Sequence, residues 1–94
     1  MATFLVFGKY SVEGLSAISA DRTQQAEELI QKFGGELQAG YALLGDTDLV
    51  FVTDFPSTEA AMQASVAISR LTGIAFTTAP AVTIDDFDQL MAEI

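Results

Sequence analysis

Residues 41–55 read YALLGDTDLVFVTDF. Two apolar runs rich in β-forming side chains close on Gly45, Asp46 and Thr47, the pattern of a β-hairpin. A strand pattern and a helical pattern come before it, and a helical pattern and a strand come after it. The hairpin is thus the centre of a pseudo-symmetric pair of βαβ halves.

On the N-terminal side, Thr3 to Phe7 is a continuous apolar run, with Phe4 and Val6 on one face and Leu5 and Phe7 on the other. Val12, Leu15 and Ile18 fall at helical spacing in a segment that Gly14 and the serines weaken, so a turn or short helix is expected. A longer helix is expected from Asp21, which can cap the first amides while Gln24 reaches back as in a capping box. Ala26, Leu29, Ile30 and Phe33 form its apolar stripe, and Gly34-Gly35 ends it. Glu36 to Leu44 alternates as a strand, with Leu37, Ala39, Tyr41 and Leu43 on one face.

On the C-terminal side, Asp48 to Asp54 returns as a strand that is apolar on both faces from Leu49 to Val52, which places it mid-sheet. Pro56 closes it, and Ser57 or Thr58 can cap a helix that carries Ala60, Ala61, Ala64, Ala67, Ile68 and Leu71 on one side. Gly73 ends that helix. Ile74 to Val82 reads as a fourth strand, and Pro80 confines it to an edge or ends it there. Thr83 to Asp86 opens a last helix whose stripe is Phe87, Leu90, Met91 and Ile94.

Right-handed crossovers leave room for one strand inside each βαβ half, which yields an α+β, ferredoxin-like βαββαβ domain with a C-terminal helix. Its four-stranded antiparallel sheet takes the order 4-1-3-2, and one domain spans residues 1–94. Both main helices fall on one face of the sheet. The other face carries half of Phe4–Phe7 and half of Leu49–Val52, and it needs a partner. Two sheets stacked about 10 Å apart would make a dimeric α+β barrel.

Composition points the same way. A chain of 94 residues buries only about 60 to 65% of the surface it exposes when unfolded. Half of this chain is hydrophobic, more than one small monomer comfortably hides, so a homodimer or higher homo-oligomer is expected. Thirteen acidic residues stand against Lys9, Arg22, Lys32 and Arg70, a formal net charge of -9. No basic cluster is available to neutralise phosphates or to meet an anionic bilayer, which argues against nucleic-acid and membrane partners. Acidity of this kind keeps a protein soluble.

Cysteine, histidine and tryptophan are absent. Their absence removes thiolate chemistry, the usual general base near neutral pH, and the commonest zinc and haem ligands. The methionines show no metal-binding spacing, and Asp85, Asp86 and Asp88 fit a helix N-terminus rather than a calcium loop. No metal and no cofactor is expected. A haem would have to use Tyr10 or Tyr41. The N-terminus does not read as a secretory signal and no stretch reaches the roughly 20 apolar residues of a membrane span; a cytoplasmic protein is expected.

The topology brings the end of strand 1 beside the start of strand 3. Lys9 and Asp48 therefore share one end of the sheet, with Gly8, Tyr10 and Asp46 close by. One reading is an ion pair that closes the sheet, worth about 0 to 1 kcal/mol if exposed. The other is a small polar pocket in which Lys9 holds an anion and Asp48 orients it. Tyr41, on its strand, is either a core aromatic with its hydroxyl at the rim or a proton-handling group.

Four stretches carry a family resemblance: GKYSVEG after strand 1, DRTQQAEELIQKFGG through the first long helix, GYALLGDTDLVFVTDFP across the hairpin, and TTAPAV leading into DDFDQLMAEI. In this order and spacing they resemble the GYD-domain family of small bacterial and archaeal proteins. Gly45 and Asp48 match the ends of the hairpin motif, and Thr47 stands where the family usually has tyrosine. The resemblance implies a ferredoxin-like fold of the dimeric α+β-barrel type and carries no established activity. Relatives of that barrel type include haem-dependent enzymes, lactone isomerases and cofactor-free oxygenases.

Three functions compete. The first is a binding or interaction module, a homodimer that holds a small, largely apolar ligand between sheet and helices with Lys9, Tyr41 and Asp48 as its candidate ligand-binding residues. The second is a cofactor-independent oxygenase or isomerase in which Tyr41 or Asp48 handles a proton and Lys9 steadies an enolate. The third is a structural oligomer that docks through its acidic helices. The lack of histidine, cysteine and metal motifs leans away from an enzyme and names no catalytic residue.

Overall fold

The computed structural model describes all residues, 1–94. Strands β1 (Ala2–Lys9), β2 (Glu36–Ala42), β3 (Leu49–Phe55) and β4 (Ala75–Ala81) are joined by helices α1 (Val12–Ser16), α2 (Ala20–Lys32) and α3 (Thr58–Thr72), and α4 (Ile84–Met91) follows β4. The sheet runs β2-β3-β1-β4, the expected 4-1-3-2 order read from the other edge, and every neighbouring pair is antiparallel. This is the ferredoxin-like α+β fold.

The register sorts the strand residues into two faces. Phe4, Val6 and Gly8 pair with Thr53, Phe51 and Leu49 and face the helices, whereas Leu5 and Phe7 pair with Val52 and Val50 on the opposite side. Phe4, Ala26, Ile30, Phe55, Ala60, Ala61, Ala64 and Ile68 form the buried core on the helix side. Phe4 and Phe55 meet edge to face with ring centroids 6.0 Å apart. The three alanines let α3 approach the sheet closely. Thr53, fully buried, donates its hydroxyl to the Phe4 carbonyl at 2.9 Å, which satisfies the one polar group that β3 sends into this core.

Several boundaries differ from the sequence-based expectation. Helix α2 starts at Ala20 and is capped by Ser19, whose side chain accepts from the Arg22 amide. Asp21 therefore lies in the first turn, where its charge complements the helix dipole. Strand β2 stops at Ala42 rather than Leu44, and the Leu43 amide donates to the Asp48 carbonyl at 2.8 Å, so residues 43–48 form a longer loop than a tight turn on Gly45. An irregularity at Gln38 shifts the register between Leu37 and Ala39. Leu37 consequently packs toward the core, while Ala39 and Tyr41 pair with Val52 and Val50 and share the opposite face. Alternation alone had put all three together.

At the end of α3, Leu71 is exposed and Thr72 is buried in its place. Its hydroxyl donates to the Ile68 carbonyl and accepts from the Ile74 amide, and this bond pair holds the turn into β4. Gly34 and Gly73 adopt φ of 81° and 70° just past α2 and α3, the left-handed geometry that ends a helix without a Cβ clash. Pro80 lies within edge strand β4, opposite Phe4. Helix α4 is capped by Thr83 as expected, but none of its residues is buried, and Phe87, Leu90, Met91 and Ile94 all remain exposed.

Candidate ligand-binding cleft

Between the helix layer and the sheet, near the start of α2 and the end of α3, the core opens into a cleft of about 360 Å³. Leu49 and Phe51 of β3 and Phe76 of β4 form its sheet side, and Ala26, Ile68 and Ile74 close it from the helix side. Phe51 and Phe76 are roughly parallel, with centroids 6.2 Å apart and planes inclined by 29°. A Cβ on Gly8 would come within 2.8 Å of Phe76 and 2.9 Å of Leu49. The missing side chain lets these two residues close over β1.

Few of the lining side chains are polar, and one of them, Thr72, is buried. Tyr10, Arg22 and Thr23 border the cleft on one side, and Gly40, Tyr41 and Ala42 of edge strand β2 on the other. Arg22 is half-buried and donates from Nη1 to the Gly14 carbonyl, which ties α2 to α1. The Arg22 guanidinium carbon lies 5.8 Å from the centroid of the Tyr10 ring, within cation–π range. None of the residues bordering the cleft is aspartate or glutamate.

The three residues singled out from the sequence all lie at this end of the sheet, though they do not converge on one point. Asp48 uses one carboxylate oxygen to accept from the Tyr10 amide at 2.8 Å, and its own amide donates to the Gly8 carbonyl at 2.8 Å. It makes no hydrogen bond to Lys9. Lys9 is exposed at the end of β1, on the same side of the sheet as Leu5 and Phe7 by alternation. Tyr41 is 60% exposed, borders the cleft, and pairs with Val50 across the open face. No three His, Cys, Asp or Glu side chains approach one another as a metal site would require.

Arg22 and Tyr10 were not among the candidate site residues. The signal for Arg22 was present: with Ala26 and Ile30 it repeats every four residues, so it lies on the sheet-facing stripe of α2 one turn before the apolar part begins. A cation on a buried stripe is uncommon unless it is paired or used.

A four-stranded antiparallel sheet, helices on one side and an apolar cleft under them define a ferredoxin-like α+β domain. A sequence model of the GYD domain matches residues 4–91, and the chain belongs to the GYD domain family. No curated protein matches it in sequence. Among solved structures, the Mycobacterium tuberculosis leucine response regulatory protein LrpA is similar over 87% of this chain and 51% of its own, with TM-score 0.58 and 11% identity. An AsnC family transcriptional regulator from Agrobacterium tumefaciens is similar over 87% of this chain and 50% of its own, with TM-score 0.58 and 18% identity. The chain thus spans about half the length of these regulators, and at such identities the likeness concerns the fold. No helix is long and apolar enough to cross a membrane.

Proposed function

We propose that this protein is a single-domain, homo-oligomeric binding module that holds a small, largely apolar ligand in the cleft between its helices and its sheet. The cleft itself carries the reading: an apolar recess of about 360 Å³, within the range of small-molecule sites, with few polar side chains among the residues that line it. One structurally similar protein is named for its response to leucine, which is consistent with a fold that accommodates a small, mainly apolar molecule. A cytoplasmic location belongs to the same proposal. A thermal-shift or NMR screen with small apolar compounds tests it. Binding that is lost when Ala42→Trp fills the cleft mouth supports it, and the absence of any binder argues against it.

The oligomer in this proposal forms through the open face of the sheet. Leu5, Phe7, Val50 and Val52 lie there half-buried, with no helix over them. Charge at the two ends favours one arrangement. Lys9 ends β1 at one end of this face, and Asp54 and Glu36 are paired at the other, where Asp54 accepts from Thr3 and Gln38. A two-fold axis running across the strands lays Lys9 of one copy over the acidic end of the other.

A second reading rests on Lys9, Tyr41 and Asp48 sharing one end of the sheet. It is a cofactor-independent oxygenase or isomerase, in which Tyr41 or Asp48 handles a proton of a small organic substrate. Substrate turnover that disappears in Tyr41→Phe and Asp48→Asn, with the fold intact, separates it from pure binding.

A further inference from the structure

We propose that the cleft selects a small apolar monocarboxylate and that Arg22, within cation–π range of Tyr10, is the residue that holds the carboxylate. This deepens the binding-module reading and rests on it. The chain carries 13 acidic residues and four basic ones, yet no carboxylate borders the cleft and one guanidinium does. That distribution is the reverse of the composition.

Arg22 is built into its place. Its backbone amide donates to the hydroxyl of the capping Ser19, one terminal nitrogen donates to the Gly14 carbonyl, and its guanidinium carbon lies 5.8 Å from the centroid of the Tyr10 ring. A guanidinium has five N–H donors in a fixed fork, and this one makes a single side-chain hydrogen bond within the protein. The remaining donors belong to a half-buried cation at the rim of an apolar recess. A carboxylate matches that fork in a two-pronged contact, and its apolar body can lie along Phe51, Phe76 and Ile68. An amine would meet the like charge of Arg22. A ligand with several negative charges would meet the net charge of -9, which one guanidinium does not offset. A single carboxylate on an apolar body satisfies both conditions.

Three probes with the same eight-carbon body test this: octanoate, 1-octanol and octylamine, titrated into the intact protein and followed by amide chemical shifts. Octanoate is expected to bind at least about tenfold more tightly than 1-octanol, as a charged hydrogen-bonded contact implies. In Arg22→Met that preference should vanish while 1-octanol still binds, and Arg22→Lys should restore part of it. Retained 1-octanol binding shows that the variant is folded and its cleft intact. Equal binding of octanoate and 1-octanol by the unaltered protein, or an octanoate preference that survives in Arg22→Met, overturns the assignment of Arg22 and leaves the cleft reading in place. If no probe binds, or if binding persists unchanged in Ala42→Trp, the cleft reading fails and this proposal fails with it.

Discussion

The two faces of the sheet are built from the same kinds of residue and end in different states. On the helix side, Phe4, Val6, Thr53 and Phe55 are each exposed by no more than 3%. On the open side, Leu5, Phe7, Val50 and Val52 keep intermediate exposure, although they come from the same two central strands. Hydrophobicity therefore does not distinguish the faces. What differs is what the connections lay over them: α2 and α3 fall on one side, as the general preference for right-handed crossovers requires, and leave the other bare. The bare face is as apolar as a core and is the part of the protein least explained by one chain.

The sharpest way to probe this contrast is to truncate matching positions on each side. Phe55→Ala removes a fully buried ring that packs against Phe4 and should cost about 3 to 5 kcal/mol of unfolding free energy, read from a denaturant melt. Val52→Ala in an isolated protomer should cost much less. If the two substitutions proved equally damaging at all protein concentrations, the open face would already be covered within one chain.

Next in size is the introduction of a charge on the bare face. Val52→Asp should raise the dissociation constant of the oligomer by tenfold or more while leaving the protomer folded, measured by sedimentation across a concentration series. A wild-type protein that sediments as one subunit at every concentration would remove the stacked-sheet arrangement.

Thr53→Val tests the one hydroxyl buried in the helix-side core. It deletes the bond to the Phe4 carbonyl and keeps the shape, so a loss of about 1 kcal/mol is expected. A change near zero would show that this carbonyl is satisfied by its ladder bond alone. Smallest is Lys9→Glu, which should weaken association by about 0 to 1 kcal/mol, an effect that fades as salt is added. Association strengthened by this substitution would mean that Lys9 does not lie over the acidic end of the other copy.

Local signals in the chain read well where they were backed by covalent chemistry. Gly34, Gly73, Pro56 and Thr83 end or begin elements where expected, because the allowed backbone angles of glycine and proline and the reach of a threonine hydroxyl depend little on the rest of the fold. The cap of α2 was misplaced by two residues because Ser19 and Asp21 both suit the role, and only the path of the chain from α1 decides which oxygen meets the free amides. The face of Leu37 was misassigned because a bulge has no strong sequence marker, and one extra residue at Gln38 reverses the alternation of everything before it. Leu71 lost its inward position to Thr72, whose hydroxyl serves two backbone groups at the turn.

The candidate site was less legible than the fold. Lys9, Asp48 and Tyr41 were brought to one end of the sheet by strand order, and the structure shows Asp48 engaged with the Tyr10 amide and Lys9 on the far face. Arg22 entered the sequence reading only as one of four basic residues, although its spacing from Ala26 and Ile30 put it on the inward stripe.

The order of hydrophobic, glycine and proline residues along the chain was enough to determine four strands, their pairing order and the two helices that cover one face, since these follow from periodicity and the handedness of crossovers. The cleft, its cationic rim and the strand face shared by Tyr41 and Val50 were decided only in three dimensions. They depend on how α2 sits over β2 and on a one-residue shift in pairing, and neither placement nor register is encoded by any single local segment.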